Sequence, residues 1–111
     1  MNQDNPQTII SGGLPFQSVW LRCQVLVSKK SDEFIVTVHD VPNTLTDPAF
    51  YVDPELVKLS SHPEIGQSAA GRVQVILLEK RPDENSLVVE VPGEPVSYGP
   101  KLLVPQSLVV N

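Results

Sequence analysis

Residues 72–91 restrict the fold of this chain more than any other stretch. They read Arg72-Val-Gln-Val-Ile-Leu-Leu-Glu-Lys-Arg-Pro-Asp-Glu-Asn-Ser-Leu-Val-Val-Glu-Val91. Two runs of Val, Ile and Leu flank a polar segment that contains Pro82 and Asn85. β-Branched runs on either side of a short turn-forming segment specify a β-hairpin. A five-residue loop, 81–85, sets Lys80 opposite Ser86. Leu77 then faces Val89, Val75 faces Val91 and Glu79 faces Leu87, while on the reverse side Leu78 meets Val88 and Ile76 meets Glu90. The first face is almost wholly apolar and belongs in a core. The reverse face mixes Arg72 and Gln74 with Ile76 and Leu78, so half of it needs a cover. A one-residue slip would exchange the two faces, so the pattern specifies the register.

A second hairpin precedes it. Val19, Leu21, Cys23, Val25 and Val27 alternate with Trp20, Arg22, Gln24 and Leu26, the period of a half-buried strand. After a polar connection, Phe34-Ile-Val-Thr-Val-His39 supplies the partner. Residues 40–54 then break the pattern with three prolines and several Asn and Asp residues, which predicts a long irregular loop. Loops of that length in a small domain are usually functional or disordered. Asp53-Pro54 has the residue types of a helix N-cap and first turn, and predicts a short helix over 54–59 lying across Ile76 and Leu78. Further strands are expected at 101–104 and 108–110.

This adds up to a mainly β (all-β) domain with one short helix. The expected form is a five- to six-stranded antiparallel barrel or rolled sheet of OB or SH3-like type, with a small β-sandwich as the alternative. Residues 1–18, rich in Gln, Asn, Pro and Gly, are expected to be a flexible tail, and 19–111 a single β-rich domain. Eleven prolines in 111 residues are about twice the usual share, which favours strand ends and loops over long helices.

The net charge of −5 is unevenly placed. Residues 31–64 hold seven acids against Lys58, whereas 19–30 hold Arg22, Lys29 and Lys30 with no acid. An acidic protein is disfavoured as a general nucleic-acid binder, because phosphates need a basic face, yet a local patch remains open. The one cysteine, Cys23, allows no internal disulfide, and the first residues lack the basic and apolar regions of a signal peptide, so a cytoplasmic setting is expected. No run approaches the ~20 apolar residues of a membrane-spanning helix.

No motif for a catalytic residue, cofactor or metal emerges, and a non-enzymatic role is expected. Cys23 with His39 and Asp40 has the residue types of a thiol nucleophile and base, but Cys23 sits on an apolar strand face, where a thiol behaves as a small hydrophobe. His39, His62, Asp40 and Glu64 lack the spacing of a recognised metal site. Two binding readings remain, with a small enzyme whose site would gather His39 or His62 with carboxylates of the middle segment as a third. The first is a protein-binding or adaptor module, including self-association, using Phe50 and Tyr51 as aromatic anchors between Asp47 and Asp53, with residues 108–110 free to pair across a dimer. The alternative is an OB-like single-stranded nucleic-acid binder using Trp20, Arg22, Lys29 and Lys30, an aromatic interleaved with bases.

Overall fold

The computed structural model describes residues 9–11, 14–27, 29, 33–42, 44–96 and 99–110. Among them the chain forms ten β-strands and three single turns of 3-10 helix, with no α-helix. The strands are β1 (Ile9–Ser11), β2 (Leu14–Val27), β3 (Phe34–Thr37), β4 (Ala49–Val52), β5 (Val57–Leu59), β6 (Ser68–Arg81), β7 (Ser86–Glu90), β8 (Glu94–Pro95), β9 (Lys101–Pro105) and β10 (Val109–Val110). All pairings are antiparallel.

Two meanders, β4-β3-β2 and β6-β7-β9, join along β2 and β6, and β8 adds to the free side of β4. The result is a rolled, half-barrel sheet, the all-β form read from the sequence, with ten strands among the described residues where five or six were expected. β2 and β6 are its spine. Each has 14 residues, and they pair continuously from Gln17↔Leu77 to Leu26↔Ser68. β6 takes one edge of β2, so β10 (at Leu21 and Trp20) and β3 (from Gln24 onward) share the other. The free edge of β6 carries β5 and then β7.

The core lies inside the roll. Leu21, Val25, Val36, Val38, Phe50, Val52, Val73, Val75, Val89 and Val104 are buried there, and no polar residue is buried among the described residues. The alternation read for residues 19–27 holds: Leu21, Cys23 and Val25 point inward, while Arg22 is exposed and Trp20 and Gln24 are half-buried outside. Gly71 lets β5 approach closely. A Cβ there would lie 2.7 Å from the Lys58 carbonyl oxygen and 3.0 Å from Val25 Cγ2.

Four expectations change. Leu14 to Ser18, read as part of the tail, is strand, and residues 9–11 pair with 14–16; residues 1–8 lie outside the described residues. The central hairpin keeps Ile76↔Glu90 and Leu77↔Val89 but contains a bulge at Leu78. Beyond it Glu79 pairs with Val88, Lys80 with Leu87 and Arg81 with Ser86, so the loop has four residues, 82–85, closed by Asn85 in the left-handed region. In the unbulged register Glu79 would sit on the core face opposite Leu87. The extra residue moves its carboxylate outside, where it accepts from Arg81 Nε at 3.1 Å and holds the Arg81 pKa above its usual value.

The expected helix over 54–59 is a single 3-10 turn, Pro54–Leu56, followed by strand β5. The cap itself is as read: the Asp53 carboxylate accepts from Glu55 N at 3.0 Å. The helix stops because Val57 and Leu59 alternate about Lys58, a period-2 pattern that β6 satisfies by pairing. Both then pack on the core rather than over Ile76 and Leu78. Finally, residues 40–54 are not irregular throughout. Val38 N donates to the Pro48 carbonyl at 3.0 Å, closing the neck of a loop, and β4 begins one residue later.

Candidate functional site

The outward side chains of the β2–β6 spine form ordered rows. One row runs across three strands: Lys58 on β5, Arg72 on β6 and Arg22 on β2 are direct cross-strand neighbours. All three are exposed. Strand spacing puts the backbones of the outer two about 10 Å apart. On one side the neighbouring row holds Gln74 and Trp20, with Val110 beyond, and on the other side Ala70, Gln24 and Thr37. Lys58 Nζ lies over the Trp20 ring, 4.6 Å from its centroid, a cation–π contact that ties the two rows together.

Like charges directly opposite on a sheet repel and destabilise it. Among the described residues, the close contacts between acidic and basic side chains join His39 to Asp47, and Arg81 to Glu79 and Glu84. None involves Lys58, Arg72 or Arg22. The sheet therefore holds three cations in one row with an aromatic ring beside them and, among the described residues, no carboxylate bridging them.

The row opens into a concavity of about 440 Å³. It lies where β10 and β3 leave a gap along β2, and its lining includes Arg22, Cys23, Gln24 and Arg72 from the two spine strands, Leu108 and Val110 near the end of the chain, and His39, Asp40 and Ser60. His39 Nδ1 lies 2.6 Å from Asp47 Oδ2, which ties the two sides of the 38–48 loop at its base. Asp40 has φ of 64°, the left-handed region that Asp tolerates better than most residues.

Cys23, on the inner face, contributes to the lining of this concavity yet is only 6 % exposed, and burial pushes its thiol from 9.0 up to about 12. A thiol so raised supplies no thiolate near neutrality. In the native protein it should resist iodoacetamide at pH 7.5 and react on unfolding. The sign of the linkage follows: the native state holds this proton while the unfolded chain releases it above about 9, so stability is full below that pH and falls as pH rises toward 12. A Cys23→Ala variant should lose that alkaline decline in a urea-melt series. Rapid native labelling would overturn the assignment.

The residues expected to bind are only partly brought together. Trp20 and Arg22 lie in this site. Lys29 is exposed but lies seven residues beyond Arg22, about 23 Å along an extended chain, and Lys30 lies outside the described residues. Lys58 and Arg72 take their place. They were missed because their nearness to Arg22 depends on pairing between strands far apart in sequence. The available signal was the match between the two long alternating runs, each carrying an arginine on its polar side.

The aromatic pair of the first reading does not form a surface anchor. Phe50 is fully buried, paired with Val36 and Pro95 on the inner face, because alternation in β4 turns it opposite to Tyr51. Tyr51 is half-buried between Ile35 and Glu94 outside. Asp47 holds His39 and Asp53 caps the 3-10 turn. Val109 and Val110 pair with β2 of their own chain. No group of His, Cys, Asp and Glu that could hold a metal ion occurs among the described residues, and none of their helices is long and apolar enough to cross a membrane.

No family model matches the chain, and no significantly similar curated protein or solved structure was found.

Proposed function

We propose that this protein is a non-enzymatic binding module that holds single-stranded nucleic acid across the outer face of β5, β6 and β2. The observation that carries this reading is the row Lys58–Arg72–Arg22 beside Trp20. Phosphates accept from the three cations, and a base stacks on the indole once the flexible Lys58 stem swings away. Lys58 then exchanges a cation–π contact for a phosphate. The net charge of −5 is unevenly spread: the three residues of the row are all basic, and Asp40 is the acid that lines the concavity beside them.

Trp20 is the only tryptophan and so reports on the site by itself. Titration with a short single-stranded oligonucleotide at low salt should change its fluorescence. With three phosphate contacts, log K should fall against log salt with a slope of about −2, a roughly 15-fold loss of affinity between 50 and 200 mM. An unchanged spectrum, or binding indifferent to salt, overturns the reading.

A second reading has its own observation. Ile76, Leu78, Val88 and Leu103 share the outer face away from the basic row and are only half-buried, a surface suited to a protein partner or a second copy of this chain. Light scattering across a wide concentration range tests the self-association form, and a constant monomer mass removes it.

A further inference from the structure

The concavity beside the basic row, about 440 Å³, is large enough to admit a nucleobase, and its chemistry is not neutral between bases. Resting on the nucleic-acid reading above, we propose that it is a base-reading subsite in which Asp40 selects bases that carry an exocyclic amino group.

Arg22 and Arg72 mark the side where a phosphate lies. Leu108 and Val110 form an apolar wall that covers the face of a base, and Asp40 and Gln24 meet its edge. An ionised carboxylate only accepts hydrogen bonds. Cytosine and adenine offer it an amino group. Thymine presents a carbonyl oxygen at the corresponding position, which a carboxylate repels. Gln24 has both a donor and an acceptor, so it serves either class. The discriminating group is therefore Asp40.

The backbone supports this placement. Asp40 is one of two non-glycine residues with positive φ among those described, a conformation retained where surrounding structure holds it. Here the Val38–Pro48 hydrogen bond and the His39–Asp47 contact close the neck of the loop on either side. They hold Asp40, itself exposed, at the rim of the cavity, whereas Leu45 at the loop tip is 99 % exposed.

The test compares oligo-dC with oligo-dT of equal length, two pyrimidine strands that differ chiefly at the edge being read. Trp20 fluorescence gives both affinities. The expected result is roughly tenfold tighter binding of oligo-dC, with parallel salt slopes, because the phosphate contacts are the same. Asp40→Asn should remove the preference without altering the slope, since asparagine presents a donor to thymine and also tolerates positive φ. A thermal melt of the variant checks that the loop is intact. Equal binding of the two strands by the native protein, or a preference that survives Asp40→Asn, overturns the subsite and leaves the binding face standing. Failure of both strands to bind overturns the two together.

Discussion

Replacing Phe50 by alanine should lower stability by about 3–5 kcal/mol, the range for emptying a fully buried aromatic site. The ring is 0 % exposed, lies at the centre of β4 and is flanked by Val36 and Pro95 on its two neighbouring strands. β4 cannot collapse into the void, because β8 is pressed against it. A Cβ on Gly93, just before β8, would lie 2.5 Å from the Tyr51 carbonyl oxygen. For a domain of this length the loss corresponds to a fall in Tm of roughly 15 °C. Tyr51→Ala, on the half-exposed side of the same strand, should cost about 1 kcal/mol. Comparable small losses at both positions would mean that Phe50 is not a core residue.

Phe50 also shows where sequence reasoning stops. The alternation of β2 was legible because nine residues in a row repeat it, and so was the apolar face of the central hairpin. β4 has four residues, Ala49–Val52, between prolines at 48 and 54. Four residues carry too little period to distinguish a strand from a loop that displays aromatics. The Leu78 bulge is a similar case. Glu79 facing Leu87 was visible as a buried carboxylate in the simplest register, and the bulge is the local answer to it. The helix expected over 54–59 failed at a different level. Its capping residues were read correctly, but a free β6 edge offers Val57 and Leu59 both backbone partners and a core, which one more helical turn could not. The binding row was the least legible feature. It is assembled from β2, β5 and β6, and no local signal announces their alignment.

That alignment yields the sharpest separation between a structural and a functional role. Arg72→Glu should raise stability and abolish most binding together. A carboxylate at this position lies between Lys58 and Arg22, turning two repulsive neighbours into two attractive ones, worth about 0.2–1 kcal/mol each before screening. The melting temperature should rise by a few degrees at low salt, and the gain should shrink as salt is added. Oligonucleotide affinity should fall roughly 100-fold, because a charge-assisted phosphate contact is lost and a repulsive one is gained. Lys29→Glu makes the same change in net charge outside the row and should leave affinity within a few-fold. If the row were only a solvated face, Arg72→Glu and Lys29→Glu would behave alike toward the oligonucleotide. If the arginines were held by unseen structural pairing, Arg72→Glu would destabilise the protein. Higher stability with lost binding is the outcome expected only when a sheet tolerates its own repulsion in order to hold an anion.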